Sequence, residues 1–270
     1  MKPEQSAAAA KILYDLRAQS RVIAALDPDL TPQTIACAYQ IQDDFRGLWP
    51  HPCAGWKIGA TAGPVQAKFG VSEPFAGPVY APDVYRTPAR PLAACFPHLC
   101  LESEFAFRFT TPLPPRGDVY TRDEIADAIG AVIPALELVG PRFSSLLYDA
   151  VYTAAADCAL NAGFVLGEPV ADWRTYDYPS HPVVLSVDGK PVVRGTGSNV
   201  LGNPLIVLDW AVNHLSQRGI AIESGQFIST GTTTGLFHVK PNQVAVADFG
   251  RIGSLEVRFA GEPHPQWVTG

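Results

Sequence analysis

The chain has 270 residues, of which 47% are hydrophobic, and a formal net charge of -6. That length and apolar content suffice for a large buried core, while the acidic balance, with no basic run or basic-aromatic pattern, argues against nucleic acid as a partner. No apolar run approaches the length of a membrane span. The opening Met1-Lys2-Pro3-Glu4-Gln5-Ser6 lacks a signal-peptide pattern and predicts a cytoplasmic protein. Five cysteines, an odd number without framework spacing, fit reduced thiols. The 25 prolines and 23 glycines are scattered, as expected of a loop-rich β protein rather than a disordered one.

Residues 7–19 predict a helix, Ala-rich at first and then striped by Ile12, Leu13 and Leu16. A second helix is expected from Thr31-Pro32, with Thr31 as N-cap, carrying Ile35, Tyr39, Ile41 and Phe45. Residues 1–50 thus form a helical layer. No linker separates it from residues 51–270, so one domain is expected. Gly55 to Thr61 reads as a short strand, with Lys57 on the face opposite Trp56 and Ile58. Gly70 to Tyr80 reads as a shaped Pro/Gly loop.

Leu101 to Phe109 reads as a strand. Leu101, Ser103, Phe105, Phe107 and Phe109 share one face; Glu102 and Glu104 share the other. Thr121 to Glu124 is a capping box opening a helix with Ile125 and Ile129 inward, and Gly130 is the expected stop. Val132 to Val139 is strand-like and contains Glu137. Tyr148 to Asn161 is helical or irregular and holds Asp157 among small residues. Val183 to Val193 is a hairpin turning at Asp188-Gly189. Asn203-Pro204 caps a helix with Leu205, Leu208, Val212 and Leu215 inward, stopped by Gly219. The remainder is strand and turn: 227–235, 244–247 and 255–259. Many short strands with few helices between them predict a β-rich α+β fold.

Two carboxylates side by side on a strand repel unless a proton or a cation lies between them. An acid within an apolar strand is costly to bury unless paired, protonated or metal-bound. Glu102, Glu104 and Glu137 therefore suggest a site for a hard divalent cation such as Mg²⁺ or Mn²⁺. The alternative puts Glu102 and Glu104 on a wet sheet face and pairs Glu137 with a basic side chain. Lys57 sits in an apolar strand, where an ammonium must reach water or meet an anion.

Several chemistries lack support. There is no G-x-S-x-G, no G-x-x-x-x-G-K and no G-x-G-x-x-G. Cys95, His98 and Cys100 lie close together, but without a fourth ligand or a C-x-x-C they make a weak zinc set. Asp157 reads as a pocket acid or a helix cap, and the Gly231 to Gly235 run, with Thr232 and Thr233, as an oxyanion-binding segment or a plain turn. His214 and His238 read as structural.

Taken together, Gly55-Trp56-Lys57-Ile58-Gly59, Glu102-Ser103-Glu104, Ala135 to Val139, Leu201-Gly202-Asn203-Pro204, Ser229 to Thr232 and Phe249 to Ser254 resemble the 2-keto-4-pentenoate hydratase group of the fumarylacetoacetate hydrolase superfamily. The resemblance runs in order over nearly the whole chain. It implies a mixed β-sandwich roll of the fumarylacetoacetate hydrolase C-terminal type behind the N-terminal helical layer. It also implies a divalent metal, Mg²⁺ or Mn²⁺, on Glu102, Glu104 and Glu137, an active-site lysine at Lys57, and a homo-oligomer. Members act on 2-oxo acids of aromatic meta-cleavage catabolism, alongside pathway partner enzymes.

The implied reaction is addition of water to a 2-hydroxy-2,4-dienoate, giving a 4-hydroxy-2-oxo acid. Decarboxylation of a 4-oxalocrotonate-type acid, or C–C hydrolysis, needs the same stabilised enolate, and a non-catalytic 2-oxo acid-binding paralogue is a further alternative. Two positions depart from the group. Where hydratases carry an acid after the proline of the loop following the lysine, this chain has Glu73-Pro74-Phe75; Glu73, two positions away, is the expected substitute. After Glu137, where Asp-Ser-Arg is usual, the chain reads Val139-Gly140-Pro141-Arg142 and keeps only the arginine.

Overall fold

Two helices lead the chain in the computed structural model, which describes residues 1–147 and 150–267. Helix α1 spans Pro3–Ala18 and α2 spans Ile35–Leu48. The α2 start differs from the Thr31-Pro32 expectation. Pro28–Leu30 forms a separate 3₁₀ turn that ends on Thr31, and Thr34 caps α2 by accepting from the Cys37 N–H at 3.2 Å. Ile35 is consequently exposed, while Tyr39, Ile41 and Phe45 are buried.

Strand β1 (Cys53–Gly59), helix α3 (Gly63–Phe69), β2 (Phe75–Tyr80) and β3 (Val84–Arg86) follow. Next come β4 (Cys100–Phe109), α4 (Arg122–Ala128), β5 (Ile129–Val139), α5 (Val151–Ala156) and β6 (Asn161–Leu166). The hairpin is β7 (Pro182–Val187) and β8 (Lys190–Thr196), and α6 spans Pro204–Gln217. Strands β9 (Phe227–Thr232), β10 (Phe237–His238), β11 (Val244–Asp248) and β12 (Ser254–Arg258) complete the described chain.

The large sheet has the order β2-β1-β9-β4-β5-β6-β3, with β10 also pairing with β4; the smaller one is β12-β11-β7-β8. The expected loop at Gly70 to Tyr80 is partly a strand: Phe75–Tyr80 pairs antiparallel with β1. Its proline is tolerated because β2 lies at the sheet edge, where a missing N–H breaks no interior ladder. Gly130 does not stop α4. The helix ends at Ala128, its C-cap Ile129 turns to extended geometry, and Gly130 lies within β5. The glycine is needed there because a Cβ would meet Thr110 Cγ2 at 2.2 Å. In the stretch expected from Tyr148 to Asn161, Tyr148 and Asp149 lie outside the described residues; beyond them α5 gives way to a 3₁₀ turn over Cys158–Leu160.

The odd face of β4 forms the centre of the main core. Phe105 meets Tyr178 and Phe249 edge-on at 5.3 Å each, and Phe107 meets Tyr178 at 5.3 Å. Leu185 of β7, Ala245 of β11 and Leu255 of β12 join that cluster, so the small sheet covers this face. Each fully buried Phe stabilises the packing by about 1.5–3 kcal/mol relative to exposure. Trp56 and Ile58 belong to the same core. The opposite faces of β1 and β4, carrying Lys57, Glu102 and Glu104, are thereby turned away from the small sheet. A second cluster joins Leu13, Ile41 and Phe45 of the helical layer to Phe75, Phe143 and Ala159.

Candidate active site

Register brings the acids together. In the antiparallel β4–β5 pair Glu102 lies directly opposite Glu137. Glu104, two residues along β4, shares the Glu102 face. One carboxylate oxygen from each of Glu102, Glu104 and Glu137 lies within 4.8 Å of the others; among the described residues this is the one such group of three. Lys57 enters from β1, and its Nζ lies 3.0 Å from Glu137 Oε2. Glu104, Glu137 and Lys57 are buried, and Glu102 is half-buried.

The carboxylates are held on one side and open on the other. Glu104 Oε2 accepts from Ser229 Oγ and, at 3.1 Å, from the Gly231 N–H. Glu137 Oε1 accepts from Asn161 Nδ2 at 3.0 Å. Glu104 Oε1 is buried with no hydrogen-bond donor, and Glu137 Oε2 has its ion pair with Lys57 but no hydrogen bond. Gly231 can approach because it adopts φ +98°, and a Cβ there would run into Thr61 Oγ1.

The electrostatics show what the cluster lacks. Burial pushes Glu102 up to about 7, with Lys57 opposing the shift and Glu137 adding to it. Burial, then repulsion from Glu137 and Glu102, drives Glu104 well above the usual carboxylate range. Burial alone would lower the Lys57 ammonium, but the charges of Glu137, Glu102 and Glu104 outweigh it and keep its pKa raised. One ammonium does not neutralise three clustered carboxylates. Unpaired, desolvated carboxylate oxygens facing one point are the donor set that a hard divalent cation prefers, so the residues present fit Mg²⁺ or Mn²⁺.

A cavity of about 130 Å³ adjoins the cluster, lined by Lys57, Thr61, Glu102 and Thr232 on its polar side. Thr232 Oγ1 is buried without a partner. The other expected site residues are placed elsewhere. Thr233 fastens its loop to β4, its Oγ1 donating to the Ser103 carbonyl at 2.8 Å. Asp157 binds Arg142: Oδ1 accepts from Nε and Oδ2 from the backbone N–H, both at 2.7 Å. Glu73 is exposed in a surface groove beside Asp209, Trp210, Asn213 and His214, and is not brought to the Lys57 pocket. Phe75 does line that pocket. Cys95, His98 and Cys100 do not converge: His98 Nε2 is 2.7 Å from the Phe143 carbonyl, and Cys100 Sγ is 3.2 Å from His238 Nδ1.

Asn161, which steadies Glu137, falls in none of the motifs read from the sequence; Ser229, which steadies Glu104, lies in the Ser229 to Thr232 run but is not singled out there. The available signal is physical: both are polar residues fully buried in strands, where they need a partner.

Comparison with known proteins finds relatives over nearly the whole chain. The chain is 30% identical over 261 residues to a 4-oxalocrotonate decarboxylase of Pseudomonas putida, covering 95% of this chain and 97% of the relative. It is 30% identical over 263 residues to a 2-keto-4-pentenoate hydratase of Paraburkholderia xenovorans (strain LB400), covering 96% of each. The chain belongs to the group of 2-keto-4-pentenoate hydratases and 4-oxalocrotonate decarboxylases. It shares its fold with a putative fumarylacetoacetate hydrolase family protein from Yersinia pestis CO92 (TM-score 0.59 at 14% identity, covering 78% of this chain and 94% of the other). Among solved structures, 4-oxalocrotonate decarboxylase from Pseudomonas putida G7, complexed with magnesium and adipate, superposes with a TM-score of 0.87 at 26% identity. That match covers 96% of this chain and 98% of the other. The superfamily fold and the N-terminal helices expected from sequence are both present. No family model matches the chain. Among the described residues no helix is long and apolar enough to cross a membrane.

Proposed function

We propose that this protein is a divalent-metal-dependent hydro-lyase that adds water to a 2-hydroxy-2,4-dienoate and releases a 4-hydroxy-2-oxo acid. The observation that carries the reading is the convergence of three carboxylates and one ammonium beside a small, mostly apolar cavity that Glu102 and Lys57 line. Glu102, Glu104 and Glu137 would hold the cation, which when bound supplies Lewis-acid stabilisation to the enolate of a 2-oxo acid.

The chain's own groups do the rest. Lys57 Nζ, kept protonated by the surrounding acids, places positive charge where the substrate's 2-oxygen gains negative charge. It is also the group positioned to move a proton during ketonisation. Thr232 Oγ1, buried and unpartnered, supplies a hydroxyl to the substrate carboxylate. Ser229, Asn161 and the Gly231 N–H fix the carboxylates so that little reorganisation is needed during reaction. Phe75 and the neighbouring apolar walls limit water to what enters with the substrate. The reading takes residues 1–270 as one catalytic unit acting in the cytoplasm as a homo-oligomer, on the strength of the family resemblance; sedimentation of the purified protein tests the assembly.

A second reading, decarboxylation of a 4-oxalocrotonate-type acid, is favoured by one observation. Phe75 stands where hydratases carry an acid, and no other acid apart from Glu102 lines the pocket among the described residues. One experiment separates the two. Protein with Mg²⁺ is mixed with freshly generated 2-hydroxypenta-2,4-dienoate and, separately, with 4-oxalocrotonate. Loss of dienoate absorbance with a 4-hydroxy-2-oxo acid product supports hydration. Carbon dioxide from the second substrate, with the first untouched, replaces it with decarboxylation.

A further inference from the structure

The pocket has two chemically distinct ends. Its polar lining is tied to the carboxylate cluster: Lys57 pairs with Glu137, Thr232 lies opposite Glu104 in the β4–β9 pair, and Thr61 packs against Gly231. The remaining wall is apolar, with Val65, Phe69, Phe75, Leu146 and Leu236 as its larger side chains. Lys57 is the one cation among the described residues that line the pocket, and its ammonium is already committed to Glu137 at 3.0 Å.

The aromatic part of this wall is held in place from two sides. Phe69 and Phe75 meet edge-on, with ring centroids 5.8 Å apart and planes at 82°. The Phe75 ring also occupies the space that Gly59 leaves, where a Cβ would meet Cε2 at 2.9 Å. Phe75 is 3% exposed. The Phe75 ring is therefore packed and does not have room to fold away.

We propose that the pocket selects a short, singly charged 2-oxo acid or its dienol, whose end distal to the C1 carboxylate is hydrogen or a small alkyl group, and that Phe69 and Phe75 enforce this against substrates with a second carboxylate. This deepens the hydratase reading and rests on it. The C1 carboxylate and the 2-oxygen belong at the cluster, so the distal end meets the aromatic wall. A second carboxylate there gives up its hydration with no counter-charge and no hydrogen-bond donor from the wall side chains among the described residues, which is unfavourable. A methyl or methylene gains by leaving water. The volume, about 130 Å³, is near that of apolar cavities that take up benzene, which limits the substituent to a few carbons.

Calorimetric titration of the Mg²⁺-saturated protein with 2-oxohexanoate and with 2-oxoadipate tests this without turnover. The two saturated acids have equal chain length and differ in a terminal methyl against a terminal carboxylate. The expected result is at least tenfold tighter binding of 2-oxohexanoate. Equal affinity, or a preference for 2-oxoadipate, overturns the inference and leaves the hydratase reading standing if 2-hydroxypenta-2,4-dienoate is still hydrated. Failure of both acids to bind overturns the inference together with the reading beneath it.

Phe69→Arg places a cation on the partly exposed end of α3. It is expected to raise 2-oxoadipate affinity at least tenfold relative to that of 2-oxohexanoate. Val65→Arg, one turn earlier on the same helix, carries the same expectation if Phe69→Arg does not fold. An unchanged 2-oxoadipate affinity in the folded variant would show that the distal end does not reach this wall, and would overturn the assignment.

Discussion

Asp157 is where loss of one carboxylate should be felt both in stability and at the carboxylate cluster. Its side chain and that of Arg142 are both buried, and two hydrogen bonds of 2.7 Å join Asp157 to the Arg142 Nε and backbone N–H. Arg142 Nη2 also donates to the Asn161 carbonyl at 2.9 Å, and Asn161 Nδ2 in turn holds Glu137 Oε1 at 3.0 Å. Asp157→Ala leaves a guanidinium in the interior without its counter-charge. Breaking a buried pair from one side costs about 3–5 kcal/mol, which agrees with the loss of two hydrogen bonds to a charged group at ~1.5–3 kcal/mol each. Urea unfolding followed by circular dichroism reads this as a lower midpoint at unchanged slope. Divalent-metal affinity should fall as well, because Asn161 loses its support. Asp157→Asn, which keeps the shape and an acceptor, should cost less. A loss below about 1 kcal/mol for Asp157→Ala would mean that Arg142 finds water or another anion, and would refute the argument that this pair braces Glu137.

Two further predictions concern charge. Lys57→Met removes no metal ligand and takes a competing cation from beside three carboxylates, so metal binding should be retained while the hydration rate drops by about 10²–10⁴-fold; an unaffected rate removes Lys57 from the mechanism. His214 has its pKa lowered to about 4, first by burial and then by Arg218. Because the folded value lies below the unfolded value near 6.5, the unfolded state takes up the proton first, and stability is lost as pH falls from about 6.5 towards 4. Relative to the wild-type chain, His214→Gln should gain about 2 kcal/mol of stability between pH 7 and pH 4.5, read from urea midpoints at the two pH values. A constant difference between the two proteins would refute the assignment.

The period of two in Leu101 to Phe109 was enough to place Glu102 and Glu104 on one face and the phenylalanines on the other, because side-chain direction in a strand is local. That Glu137 lies opposite Glu102 depends on β4–β5 register, which no residue nearby in sequence dictates; the resemblance, not the spacing, pointed to it. Edge position is also non-local, and it explains why Phe75 to Tyr80 pairs as a strand despite its proline and glycine. Gly130 looked like a helix stop, yet its role is to admit the Thr110 side chain, a contact invisible in the sequence. Thr31 was the expected helix cap, but the 3₁₀ turn upstream ends on it and Thr34 caps α2 instead. Sequence order put Glu73 near Phe75, but Glu73 precedes β2 and lies in the outer groove, while Phe75, the first residue of the strand, lines the inner pocket.

The measurement that bears most directly on the account is a titration of the apo protein with Mn²⁺, followed by electron paramagnetic resonance, for the wild-type chain, Glu104→Gln and Glu73→Gln. The account predicts one bound ion for the wild-type chain and the same affinity for Glu73→Gln, whose carboxylate lies in the outer groove. For Glu104→Gln it predicts affinity weaker by about 100-fold or more, since outer-sphere changes alone already cost ~10–100-fold. Equal binding by Glu104→Gln, or no stoichiometric binding by the wild-type chain, would contradict a metal centre on Glu102, Glu104 and Glu137.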